Sequence, residues 1–321
     1  MKVAYMVMDH KNMEQIKRLI YRLETGGGDI YVHVDSTVCQ EDFLHLREQC
    51  QSDRCFFIQP RMHGVLDDPS LIDITMLCIN KALLSAQDND FHYDYYALIS
   101  GQDYPIKPVK WIESQLEMTY PMPYIESYSK SENGENAAVR KYDRSRGLIL
   151  YRNWVLGNFH GIIRKSLQGT GVLMRKVLKF CNQTTAQKLQ RQGITVCMGS
   201  AWWILPDKII EPVFEAYKEK DGLIQTLINE SATPEETFFQ TICRDKSYES
   251  LFDLNDEKKD LRNCKTYTDF GRKSNRKPVC HPYVLTIEDF ERLKQSTCWF
   301  ARKFDEGVDV SIIQKIETEI L

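Results

Sequence analysis

Three groups of residues in this 321-residue chain have types and spacings that could do chemistry. The first is Thr233-Pro234-Glu235-Glu236. It reads as the start of a helix over Ala232–Ile242, with Thr233 as N-cap, Pro234 in the first turn and Glu236 closing a capping box. A carboxylate there is kept ionised by the helix dipole. An ionised carboxylate aimed at a pocket can take a proton from a hydroxyl. Capping alone also explains Glu236, so its sequence leaves both roles open. Glu235, one position earlier, is expected on a different face and should tolerate substitution.

The second group is cationic. Arg262, Lys265, Arg272, Lys273, Arg276 and Lys277 face one acid, Asp269, within 16 residues. Arg302-Lys303 sits between Phe300 and Phe304, and paired cations in an apolar frame suit a phosphate site better than a free surface. Arg140, Lys141, Arg144, Arg146 and Arg152 form a further basic stretch that reads equally well as a solvated face.

The third group consists of acids that close strands. Asp35 follows the apolar run Asp29–Val34, Asp103 follows Tyr95–Ile99, and Glu126 ends Met122–Glu126. Ligands of open α/β sheets sit outside the carboxyl ends of strands. Each acid also fits as an ordinary turn residue. Asp88-Asn89-Asp90 has the Asp-x-Asp spacing used to bind Mg²⁺ or Mn²⁺. It precedes its strand in a polar loop and reads as a solvated turn.

The elements that must position these groups begin with a strand at Val3–Met8. A helix capped by Asn12 follows, with Ile16, Leu19, Ile20 and Leu23 on one face. Gly26-Gly27-Gly28 comes after that helix, so it is not a phosphate loop. The second strand and a third at Cys55–Ile58 come next. Pro69 opens a helix to about Ser85, with Leu71, Ile74, Cys78 and Ala82 buried, and Tyr95–Ile99 completes the set. Later come a loop at Tyr128–Asn136, a helix over Leu167–Leu189 and a strand over Thr195–Leu205. That strand is interrupted at Gly199-Ser200, as where a ligand approaches the backbone. Trp202 and Trp203 point to opposite faces, one to the core and one available as a sugar platform. Pro206 opens another helix, and Thr286 with Asp289 frames a second capping box.

Hydrophobic residues make up 42 % and charged residues 27 %, with a net charge of −3. Those values fit a soluble globular protein and argue against nucleic-acid binding. The ten cysteines show no metal spacing and read as mostly free, buried thiols, Cys78, Cys181 and Cys243 among them. Neither a signal peptide nor a membrane span is expected.

Taken together, ALISGQDYPIK, GSAWWIL, TPEETFFQTI, FARKFDEGVDVSII and IYVHVD resemble the family 14 glycosyltransferases. This family holds the core-2/I-branching β-1,6-N-acetylglucosaminyltransferases and the peptide O-xylosyltransferases. The blocks occur in the family's order over nearly the whole chain. The resemblance implies a GT-A fold, α/β with a Rossmann-like mixed central sheet flanked by helices. It implies one domain over 1–321, with about 1–107 binding nucleotide and the remainder binding acceptor and catalysing transfer. It also implies an inverting enzyme with a UDP-sugar donor, no divalent metal and no other cofactor.

By position, Glu236 resembles the family's catalytic base and Lys303 its diphosphate-binding lysine, with Arg302 beside it. Arg276 or Lys277, ahead of Val279-Cys280, resembles a second phosphate ligand. Asp35 resembles the nucleoside-binding acid and Asp103 a donor-side acid. Glu126, Arg140 and Arg144 resemble an acceptor region, and Gly199, Ser200, Trp202 and Trp203 the sugar pocket. Animal members carry a membrane anchor and stem. This chain starts at its first strand and resembles a bacterial, cytoplasmic relative at the inner face of the membrane, at most peripherally attached. Such a relative would build a surface polysaccharide on a glycan or glycolipid acceptor.

The physical reading agrees. Sugar transfer with inversion needs a base for the acceptor hydroxyl and positive charge for the departing diphosphate. One alternative is a non-catalytic sugar-nucleotide or glycan-binding protein that keeps the fold. Another is a metal-dependent transferase using Asp88 and Asp90.

Overall fold

The computed structural model describes residues 1–129, 161–181, 184–252, 264–271 and 281–321, with positions 151, 154–155, 158–159, 261–262, 276–277 and 279 between them. Its strands are β1 (Val3–Asp9), β2 (Asp29–Val34), β3 (Cys55–Phe57), β4 (Tyr95–Ser100) and β5 (Tyr104–Pro105). They continue with β6 (Glu126–Ser127), β7 (Trp203–Pro206), β8 (Leu261–Arg262), β9 (Thr266–Thr268) and β10 (Phe300–Arg302).

The central sheet has the order β3-β2-β1-β4-β7. β1 runs parallel to β2 and β4, β3 runs parallel to β2, and β7 is antiparallel to β4. β2 and β4 are buried along their whole length, and β1 nearly so. Strands covered on both faces read as unbroken apolar runs, which is why they were visible in the sequence. Two core clusters lie on the two faces. Tyr5, Val7, Val32 and Ala97 pack with helices α1 (Met13–Leu23), α2 (Gln40–Gln49) and α4 (Val109–Thr119). Ala4, Met6, Tyr31 and Leu98 pack with α3 (Ser70–Asp88) and the helix Asp207–Lys218. This is a mixed sheet flanked by helices, the arrangement of a GT-A-type fold.

A smaller sheet has the order β5-β10-β9. β5 lies just beyond β4, so β10 is brought to the carboxyl end of β4 by pairing with it. The Phe304 N–H then donates to the Gln102 carbonyl at 2.9 Å. β6 pairs with β8.

Several elements depart from the sequence expectation. The strand expected over Thr195–Leu205 is regular only at Trp203–Pro206, with Met198 bridging Tyr128. The helix expected over Leu167–Leu189 is two helices, Gly161–Phe180 and Thr185–Arg191. A capping box of Thr184 and Gln187 opens the second. Asn12 stands at its N-cap position but gives its side chain to Asp305 at 3.0 Å, not to the helix.

The capping box at Thr233 does not form. Pro234–Glu236 is a lone 3₁₀ turn, followed by the short helix Phe238–Ile242. The local hydroxyls are engaged otherwise: Ser231 meets Thr237 at 2.7 Å, and Thr237 donates to the Thr233 carbonyl at 2.7 Å. The Thr286–Asp289 box does form. The described cysteines are free thiols, and Cys181 is exposed, not buried.

Candidate functional site

A cleft of about 1310 Å³ opens at the carboxyl ends of β1, β2 and β4. Among the expected site residues it gathers Asp35, Glu126, Gly199, Ser200, Trp202, Trp203, Glu236, Arg302 and Lys303 into one lining. Asp103, Arg276 and Lys277 are not part of that lining. Arg140 and Arg144 lie outside the described residues. Asp88 ends α3 and Asp90 precedes β4, so both sit toward the opposite end of the sheet.

At the end of β2, Asp35 accepts from the Thr37 N–H at 2.8 Å, the Thr37 hydroxyl at 2.7 Å and the Gly64 N–H at 2.7 Å, and meets His63 Nδ1 at 3.0 Å. Burial pushes its carboxyl up, but these hydrogen bonds outweigh burial and leave its pKa lowered to about 2. The ionised Asp35 thus fixes the His63-Gly64 loop as part of the cleft wall. Beside it, His33 accepts from the Met62 N–H at 3.0 Å, and burial lowers its pKa to about 4, so the ring is neutral.

Asp9, at the end of β1, was not singled out from the sequence. It lines the cleft, and burial raises its pKa to about 7 against hydrogen bonds from the Lys11 and His10 N–H groups. Its Oδ1 has no hydrogen-bond partner among the described residues. Gly101 packs directly on it, where a Cβ would collide with the carboxylate. Asp9 ends an apolar run as Asp35 does, so the same rule could have found it.

The acids of the later chain are knitted together. Gly199 N–H donates to the Glu236 carbonyl at 3.0 Å, and Ser200 N–H donates to Glu126 Oε2 at 3.0 Å. Gly199 must lack a side chain, since a Cβ would overlap the Glu126 carbonyl oxygen. Gln240 donates to the Ser200 carbonyl at 2.5 Å and receives Ser127 Oγ on its own carbonyl at 2.7 Å. Glu126, Gly199-Ser200 and the Glu236 turn are therefore tied together by hydrogen bonds.

Glu235 does not face elsewhere: it lines the same cleft as Glu236. The turn is set into the cleft wall rather than starting a surface helix. Glu235 is buried, its Oε1 accepts from the Asp67 N–H at 3.1 Å, and its Oε2 has no hydrogen-bond partner among the described residues. Burial, helped by Glu236 and Asp67, pushes its pKa up to about 7.

The cations arrive on β10. The Arg302 guanidinium lies 4.6 Å over the Trp202 ring, and its Nε is 3.5 Å from Asp103 Oδ1. Asp103 is fully buried beneath it and accepts from the Ser100 N–H at 2.9 Å. Burial raises Asp103 to about 6 despite the pull of Arg302. Arg302 Nη1 is buried with no hydrogen-bond partner among the described residues. The pKa of Lys303 is lowered by burial and by repulsion from Lys11 and Arg302, with Asp305 opposing. Cations crowded in this way gain from an anion. Trp203 is the core tryptophan, 4.5 Å from Phe239 between ring centres, and Trp202 is half-buried at the cleft.

Arg276 is occupied elsewhere. Its Nη2 lies 3.3 Å from Asp289, its Nη1 lies 3.7 Å from Asp269, and its guanidinium covers the Tyr283 ring at 5.2 Å. Lys277 is exposed.

The model of the family described as "Branch: Core-2/I-Branching enzyme" matches residues 3–294. Xylosyltransferase 1 of Rattus norvegicus is 22 % identical over 99 % of this chain and 35 % of its own length. Xylosyltransferase 2 of Bos taurus is 24 % identical over 98 % of this chain and 33 % of its own. The human xylosyltransferase 2 is 23 % identical over the same shares. The chain thus spans about a third of the length of these curated relatives.

Proposed function

The chain belongs to the Core-2/I-branching enzyme family, and from that premise we propose that it is an inverting, metal-independent glycosyltransferase. It moves a sugar, GlcNAc or xylose, from a UDP-sugar to a hydroxyl of a glycan acceptor, in the GlcNAc case as a β-1,6 branch. The observation that supports this reading most is the sharing of one cleft by the Glu236 carboxylate and the Arg302-Lys303 cations.

In this reading the acceptor oxygen attacks the anomeric carbon and its proton passes to Glu236. The bond from that carbon to the diphosphate oxygen breaks, and UDP carries away the electron pair. Arg302 and Lys303 stabilise the negative charge that develops there. Residues up to about 107 hold the nucleoside, with Asp35 and Asp9 at the strand ends. Glu126, Ser200 and Trp202 meet the sugars. Asp103 supports the donor from below, through Arg302.

The test is UDP release from a panel of UDP-sugars with a glycan acceptor, in EDTA. Turnover is expected to persist under chelation. Lys303→Ala is expected to weaken transfer by roughly 2–4 kcal/mol of barrier, as for other electrostatic stabilisers. Activity lost in EDTA and restored by Mn²⁺ would overturn metal independence. UDP binding without turnover on any acceptor would favour the non-catalytic reading.

A further inference from the structure

The helix Gly161–Phe180 lies apart from the cleft lining and turns large apolar side chains outward. Phe180 is 92 % exposed, Ile163 62 %, Leu173 61 %, Met174 59 % and Val177 51 %. At about 100° per residue these five positions fall on one arc of roughly 120°. Leu167 and Leu178 continue the arc and are half-buried, and Tyr151 donates to the Leu167 carbonyl at 3.0 Å. Tyr151 thus meets one edge of the helix, and the rest of its apolar face is open. An exposed apolar stripe of this size marks an interaction surface.

The sequence of the helix says what covers it. Its basic positions are 164, 165, 175, 176 and 179, and it has no Asp or Glu. On the same wheel those positions occupy the opposite arc, which they share with Gly161, Gln168 and Val172. The chain as a whole has a net charge of −3, whereas this helix carries five cations and no acid. A second copy of this helix would cover the apolar face but leave the basic arc without counter-charge. An apolar face flanked by Lys and Arg instead suits a surface with anionic headgroups above acyl chains. Among the described residues no helix is long and apolar enough to cross a membrane.

We propose that Gly161–Phe180 lies in the plane of an anionic lipid surface, with Ile163, Leu173, Met174, Val177 and Phe180 among the acyl chains and the exposed Lys165 and Lys176 at the headgroups. The helix then holds the cleft beside a membrane. This inference does not rest on sugar transfer, because lipid binding is scored without substrate.

The test is cosedimentation of the whole chain with vesicles of phosphatidylcholine alone or mixed with phosphatidylglycerol. Pelleting is expected only with the mixed vesicles, and it should fall as salt rises. Leu173→Glu with Val177→Glu, and separately Lys165→Glu with Lys176→Glu, should each reduce the bound fraction at least about tenfold. Both variants change exposed positions, and an unchanged melting temperature would establish that they fold. Equal pelleting with neutral vesicles, or none with anionic ones, would overturn the proposal. So would binding that survives both variants, or a dimer in sedimentation velocity that Leu173→Glu with Val177→Glu dissolves.

Discussion

Nε of Arg302 lies 3.5 Å from Oδ1 of Asp103, and both atoms are enclosed. Removing one partner of a buried pair leaves the other charge uncompensated, which costs about 3–5 kcal/mol. Asp103→Asn keeps an acceptor for the Ser100 N–H and removes the charge. It should lower the unfolding free energy, read from denaturant titration, by an amount in that range. In a double-mutant cycle with Arg302→Met, the two changes should be strongly non-additive. Additive losses would mean that Asp103 does not position Arg302.

Glu236→Gln separates chemistry from architecture. The expected capping box is absent, and the Glu236 main chain is held by Gly199. The variant should fold with a nearly unchanged melting temperature and bind UDP normally. Its transfer rate should fall at least ~100-fold, since base catalysis contributes ~10²–10⁴-fold. Near-normal turnover would send the search for the base to Glu235 or Glu126.

Glu235 controls a pH dependence of stability. Its folded pKa is about 7 against an ordinary 4.5. A carboxyl so raised binds its proton more tightly folded than unfolded. Stability is therefore lost as pH rises from about 4.5 to about 7, by roughly 3 kcal/mol if no other group compensates. Asp9 and Asp103 act in the same direction. Glu235→Gln should reduce the drop in melting temperature between pH 5 and pH 8 without abolishing it. An undiminished drop would show that the carboxyl is not buried in solution.

Gly199→Ala tests the knitted wall. The new methyl would overlap the Glu126 carbonyl oxygen, and rigid backbone gives way poorly. Overpacking of this kind costs about 1–3 kcal/mol. Glu236 turns on the same link, so transfer should fall further than UDP affinity. Gly222→Ala, where a Cβ meets open space, is the control and should change neither. Equal behaviour of the two variants would refute the close approach.

The parts legible in the sequence were those with regular period. β1, β2 and β4 stood out because both faces are buried, and Ile16, Leu19, Ile20 and Leu23 of α1 fell on one buried face as expected. Asp35 and Glu236, which both line the cleft, could be singled out because a strand end and a Pro-marked turn are visible locally, although the capping box read at the latter does not form. Non-local contacts were not legible. Nothing near Thr233 shows that Ser231 and Thr237 engage each other, or that Glu235 will meet Asp67 from 168 residues away. Gly199 could be read as a strand interruption, but not that its neighbour would be the Glu126 carbonyl. Asp103 looked like a ligand because its distant cover, Arg302, joins through β10.

The sheet order also governs how the chain can assemble on the ribosome. β4 finds β1 early, but its other edge is closed only by β7, after about a hundred intervening residues have been made. Until Trp203 emerges, a largely apolar strand presents open amide and carbonyl groups, an arrangement prone to wrong pairing. Nascent chains stalled before Trp203 should therefore be sensitive to protease and bind chaperones. Chains stalled well past Pro206 should be neither, and equal sensitivity at both stall points would contradict this order of assembly.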